Sequence, residues 1–166
     1  VVLNQQTDWG AGLLKVTEDT CKELGMNIVS QEAYELNATD YYSLLTRVKG
    51  LTYDGLILAS NVEELANLTK QANELGVPVE KIYAFGTDCY KILDLNGAIV
   101  NGYTSSVNFD NVDPPDELGQ HFVNSYKEKY GANPSMYAAQ GWVDAEVVLE
   151  ALLRAETYDG PGIQKA

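Results

Sequence analysis

Short apolar runs of β type alternate with stretches of helical periodicity from Val1 to Tyr103, and this alternation restricts the fold more than any other feature. The clearest pair lies in the middle of the chain. Gly55-Leu56-Ile57-Leu58-Ala59 is a continuous apolar run. A strand covered on both faces by helices reads this way, whereas a half-exposed strand alternates. Val62, Leu65, Leu68, Ala72 and Leu75 then recur at helical spacing. Gly76 and Pro78 close that helix. Asn61 with Glu64, or Ser60 with Glu63, has the spacing of a capping box at its start.

The same grammar extends to both sides. Val1–Leu3 reads as strand one and residues 11–24 as a helix with Leu13, Leu14, Cys21 and Leu24 apolar, closed by Gly25. Strand two falls on Asn27–Val29. Thr39 or Asp40 caps a helix reaching Lys49, with Leu44, Leu45 and Val48 on one face. Ile82–Phe85 is strand four, a short helix follows Asp88, and Ile99–Tyr103 is strand five. Such a series predicts an α/β fold: a doubly wound, parallel, five-stranded sheet with right-handed crossovers.

Beyond Tyr103 the pattern changes. Thr104–Asp113 is polar and reads as a connector. Asp113 as cap and Pro114 at the first helical position start a helix running to Tyr130, where Gly131 stops it. Ser135 caps a second helix with Ala138, Trp142, Ala145, Leu149 and Leu152 on one stripe. Two α-helices in succession break the alternation. The expected organisation is an α/β unit over residues 1–107, a helical segment over 108–157, and a loose tail over 158–166 carrying Gly160-Pro161-Gly162.

Composition narrows the function. A net charge of −13 over 166 residues repels phosphate backbones, which argues against nucleic-acid partners. No apolar run is long enough to span a bilayer. Val1-Val2-Leu3 reads as a strand already under way, so a fragment of a longer protein is expected, and the lack of a leader says nothing of location. Cys21 and Cys89 read as small buried side chains, with a bridge between them left open.

In open α/β sheets ligands bind beyond the carboxyl ends of the strands. That rule selects four loops: residues 4–10, residues 34–39, Ser60 with Asn61, and Gly86-Thr87-Asp88. They offer the Trp9 indole, amides, hydroxyls and the Asp88 carboxylate. The set suits a small polar or zwitterionic solute, since an aromatic face attracts a cation and a carboxylate makes charge-assisted hydrogen bonds to an ammonium. Each has a plainer reading: Asp88 and Asn61 are equally placed as helix caps, and Trp9 as cover for a helix start. Enzyme signals are weak. The lone His121 sits within a helix, without a nucleophile or acid to pair with. One His and two distant Cys make no metal site. Gly10-Ala11-Gly12 begins like a dinucleotide fingerprint, but Lys15 stands at its third glycine. No cofactor and no catalytic residue are expected.

The motifs together resemble type I periplasmic binding proteins of the Leu/Ile/Val, amide and urea class. Thr7-Asp8-Trp9-Gly10-Ala11-Gly12 resembles the family's D-Y-G-x-G turn, with Trp for Tyr. Residues 39–45 resemble T-D-F-S-x-L-L, residues 68–76 resemble L-x-K-Q-A-x-x-L-G, and residues 126–134 resemble Y-K-x-K-Y-G-x-x-P. Residues 137–145 resemble Y-A-A-x-G-Y-D-A, with Trp142 for Tyr and Val143 inserted before Asp144. They cover nearly the whole chain in family order.

The resemblance implies the second lobe of an extracytoplasmic solute-binding protein, periplasmic or a cell-surface lipoprotein, serving an ABC permease. It implies Trp9 and Asn61 as walls of the ligand cleft beside Ser60, Asp88 as partner of the ligand's ammonium, and Tyr137 as an aromatic reaching the cleft from the other lobe. Asn61 stands where the family often has an aromatic, which implies a ligand more polar than leucine. The helices after Pro114 would belong to lobe one, so they are expected to dock on their own sheet or to pair with another copy, giving a homo-oligomer. A ligand-sensing receptor domain, a flavodoxin-like enzyme and a transcription regulator's effector domain are the competing expectations.

Overall fold

A computed structural model describes all of residues 1–166. The chain divides into two compact units, Val1–Val107 and Asn108–Ala166.

The first unit is built on strands β1 (Val2–Gln5), β2 (Gln31–Tyr34), β3 (Leu56–Ala59), β4 (Ile82–Phe85) and β5 (Thr104–Ser105). All pair in parallel, in the order β2-β1-β3-β4-β5. Helices α1 (Asp8–Glu23), α2 (Tyr42–Lys49), α3 (Val62–Glu74) and α4 (Cys89–Asn96) make the crossovers. The chain steps one way from β1 to β2 and the other way at every later crossover. Right-handed connections therefore place α1 on one face of the sheet and α2, α3 and α4 on the other. The doubly wound parallel sheet expected from the alternation is present.

The core lies under α2–α4. Leu3, Leu56, Leu58, Ile82 and Ala84 point from the strands into Leu44, Leu45, Val48, Leu65, Leu68, Ala72 and Ile92. Burying each large aliphatic contributes about 1.5–3 kcal/mol. Gln71 fixes the start of α2 from a distance: its Oε1 accepts from Tyr41 N at 2.6 Å and its Nε2 donates to the Thr39 carbonyl at 2.8 Å. Asp40 Oδ1 accepts from Tyr42 N at 3.1 Å.

Several elements differ from expectation. Strand two is Gln31–Tyr34, not Asn27–Val29, because the Tyr34 hydroxyl anchors to the Ala59 carbonyl at 2.9 Å and its ring packs edge-on against Tyr41. Strand five is Thr104–Ser105. The apolar Ile99–Val100 region belongs instead to a 3-10 turn that drives Val100 into the core. The α3 capping box does not form. Asn61 occupies the cap position without a side-chain bond, and Glu64 instead accepts from Asn37 N at 3.0 Å. No disulfide joins Cys21 and Cys89.

The second unit holds α5 (Glu117–Tyr130), α6 (Met136–Arg154) and a short α7 (Gly160–Lys165). Its α5 is capped by Asp116, which accepts from Gly119 N at 2.7 Å, and not by Asp113, whose own N–H is taken by Asp110. Ser135 caps α6 as expected, accepting from Ala138 N at 3.1 Å. Within the tail Asp159 caps α7 through Gly162 N at 2.8 Å. Phe122, Val123 and Ala139 form a small core with Phe109, Tyr126 and Trp142 around it. Farther along α6, Val147, Leu149 and Leu153 are exposed.

Candidate functional site

Strand order reverses between β1 and β3, whose following loops leave in opposite directions. A crevice opens at such a switch point, outside the carboxyl ends of the strands. Residues following β1, β3 and β4 stand at that edge.

From β1 comes Trp9. Thr7 caps α1 by accepting from Gly10 N at 3.0 Å, so the helix begins earlier than the apolar pattern suggested. Trp9 thus stands on the first helical turn and not in a loop, while Asn4 and Gln5 belong to the strand. Gly10 is required there: a Cβ on it would overlap the Gln5 carbonyl oxygen. This close approach brings the start of α1 down onto the end of β1. The indole is 43% exposed, yet its benzo edge lies against Gly86, in the turn after β4. Trp9 therefore reaches past the end of β3 to the Asp88 turn.

From β3 come Ser60 and Asn61. Ser60 is buried and hydrogen-bonded to the Tyr34 hydroxyl at the end of β2. Thr87 Oγ1 donates to the Ser60 carbonyl at 2.5 Å. One hydroxyl chain thus ties the ends of β2, β3 and β4 together. Burial raises the Tyr34 phenol pKa above its ordinary value, so this residue stays a neutral donor. Asn61 is exposed, its amide unused for capping.

From β4 comes Asp88. Its Oδ1 accepts from Tyr90 N at 3.1 Å and Lys91 N at 3.2 Å, so the carboxylate caps α4 and lies mostly buried. The plainer reading of Asp88 is realised in the fold, and its position on the rim is realised with it.

Trp9, Ser60, Asn61 and Asp88 accordingly share one edge of the sheet. Tyr137 belongs to the second unit, on the first turn of α6, and is exposed. Tyr34, Thr87 and Gly86 were not singled out from the sequence. All three lie in loops that the strand-end rule selects, Tyr34 in residues 34–39 and Gly86 and Thr87 beside Asp88. A cavity of about 600 Å³ lies elsewhere. It runs along the sheet face beside α1, lined by Val2, Cys21, Met26, Ile57 and Tyr83 with Asn27 and Asp54 among them, and its walls are chiefly apolar. No group of three or more His, Cys, Asp or Glu side chains is arranged to hold a metal ion. No helix is long and apolar enough to cross a membrane.

An all-parallel sheet with a switch in strand order defines the class of fold, a doubly wound α/β lobe. The chain belongs to the periplasmic binding protein family, whose model matches residues 1–166. Its members are binding proteins and not enzymes, and membership implies an extracytoplasmic location. The chain is 29% identical over 171 residues to Leu/Ile/Val-binding protein homolog 7 of Brucella abortus (strain 2308), covering 99% of this chain and 43% of that protein. A leucine-binding protein from Thermotoga maritima superposes with a TM-score of 0.85 at 23% identity, covering 99% of this chain and 47% of its own. A branched-chain amino acid transporter substrate-binding protein from Streptococcus pneumoniae, solved with isoleucine, gives 0.83 at 21% identity with the same coverage. At these identities the two structures establish the fold. The chain spans less than half the length of these relatives.

Proposed function

We propose that this chain is one lobe of a two-lobed solute-binding protein that delivers a branched-chain amino acid, or a closely related small zwitterion, to an ABC permease. Trp9 and Asn61 form walls against the solute, with Ser60 behind them. Asp88 faces the α-ammonium. The observation that carries this reading is the Trp9–Gly86 contact, because it sets an indole plate beside the turn that carries Asp88. An indole face over a cation contributes about 0.5–2 kcal/mol, more as water is excluded. The exposed Asn61 amide adds a donor and an acceptor for a polar side chain.

Binding proceeds by closure of two lobes on the solute, with residues 104–107 acting as part of the hinge. The solute's carboxylate is held by the other lobe, so the 166-residue chain alone binds amino acids more weakly than about 1 mM. Isothermal titration of the full-length protein with leucine, isoleucine, valine and urea tests the reading. A saturable micromolar heat with at least one amino acid supports it. Silence toward all of them, or equally tight binding by the isolated chain, contradicts it. The protein's place outside the cytoplasm, in the periplasm or on the cell surface as a lipoprotein, belongs to the same proposal.

A further inference from the structure

Gly86 and Trp9 meet by shape. Gly86 lies between β4 and α4 with a φ of +70°. A Cβ added there would come to 2.9 Å from Trp9 Cζ2, with Cη2 at 3.7 Å and Cε2 at 3.8 Å. Carbon atoms at optimal contact stand about 3.5–4.0 Å apart. The benzo edge of the indole therefore fills space that the side chain of any other residue would need. The contact joins the end of β1 to the end of β4, with β3 between them. At a strand spacing of about 4.8 Å, the indole bridges roughly 10 Å of rim. One end of the ring is held by its own Cβ on α1, the other by Gly86. The Gly86 contact restricts how far the ring edge can move toward β4.

We propose that Gly86 is a positioning residue for Trp9: the missing side chain is the seat of the indole, and the pair sets how deeply a solute's apolar side chain enters the rim. The second half of this inference rests on the reading of Trp9 as a ligand wall; the first half does not. A side chain at 86 lifts the ring edge off its seat, tilts the plate and loosens it. Two effects of substitution have to be separated, since a non-glycine residue is also strained at this φ. Asn is among the residues that enter the left-handed region most readily, so Gly86→Asn adds a Cβ with the least backbone cost.

The test uses 5-fluorotryptophan in the 166-residue chain. The protein has two tryptophans, Trp9 and Trp142, so fluorine NMR gives two signals, and Trp9→Phe identifies the first. In Gly86→Asn the Trp9 signal moves while that of Trp142 stays in place; an unmoved Trp9 signal overturns the proposal. Urea midpoints supply a second readout should that variant fold poorly. Replacing Gly86 by Ala costs less in a Trp9→Ala background than with the indole present, because only backbone strain remains; equal costs in both backgrounds overturn the proposal. In the full-length protein, Gly86→Asn weakens L-leucine binding about tenfold, equivalent to about 1.4 kcal/mol, and adds nothing to Trp9→Ala. Wild-type protein that ignores leucine would count against the functional reading alone, while the fluorine and urea results still decide the seat.

Discussion

Asp88 serves two purposes that substitution can pull apart. Its carboxylate accepts two backbone N–H bonds at the start of α4, at 3.1 and 3.2 Å. Removing such a cap costs about 1 kcal/mol, with a range of roughly 0.5–2. Asn keeps the cap, because its side-chain oxygen accepts the same bonds and Asn ranks with Asp at this position. Asp88→Ala should therefore lower the urea unfolding free energy of the chain by about 1 kcal/mol, while Asp88→Asn leaves it nearly unchanged. Ligand binding should follow a different order. A zwitterion's ammonium enclosed at this rim without its carboxylate partner loses about 3–5 kcal/mol. At 1.4 kcal/mol per decade, that is a drop of about two to three and a half orders of magnitude in affinity. Both variants lose the charge, so both should lose the affinity. Titration calorimetry of the full-length protein with leucine, run beside urea melts, reads the two effects separately. If Asp88→Asn binds as wild type does, the carboxylate is a helix cap and nothing more, and the assigned role in ammonium binding is wrong.

Three further outcomes follow from the same geometry. Tyr34→Phe removes the donor to the Ala59 carbonyl and the partner of Ser60, so urea melts should show a loss of about 1–3 kcal/mol; an unchanged midpoint would mean the hydroxyl chain contributes nothing. Gly10→Ala pushes a methyl into the Gln5 carbonyl and should cost about 1–3 kcal/mol, visible as a lower melting temperature, or separate α1 from the end of β1. Alkaline pH should destabilise the first unit. Burial raises the phenols of Tyr34 and Tyr41 above the ordinary value of 10.0 and pushes Tyr103 up to about 12. A raised folded-state pKa means that the folded protein holds the proton more tightly, so the contribution is complete below pH 10 and is lost as pH rises beyond it. Stability should be level from pH 7 to about 9 and fall above about pH 10, less steeply in Tyr34→Phe; a flat profile to pH 11 would contradict the burial argument.

The central elements were legible because their burial is written in their own residues. Leu56–Ala59 is apolar throughout since both faces are covered, and Leu65, Leu68 and Ala72 keep helical spacing because one face of α3 meets the sheet. Where tertiary contacts decide, local pattern misled. Gln31–Tyr34 is polar and nevertheless a strand, held by a hydroxyl reaching Ala59. Ile99 and Val100 are β-branched and nevertheless in a turn, since Val100 needs the core more than the backbone needs a ladder. The start of α1 was placed late because Thr7 and Asp8 carry no apolar signal, although Thr7 is a good cap. The rim itself came from topology: loops that follow parallel strands gather at one edge whatever their composition. What topology could not supply was the reach of a side chain across the strand ends. Trp9 on Gly86 and Thr87 on Ser60 join residues whose separation in the chain hides their contact. Nor could spacing say that Asp88 would be both cap and rim residue.

The most direct measurement is a crystal structure of the full-length protein with the amino acid it binds. The account predicts the solute between the lobes, its side chain against the Trp9 indole and its ammonium about 2.7–2.9 Å from an Asp88 oxygen. A solute seated elsewhere, touching neither Trp9 nor Asp88, would contradict it.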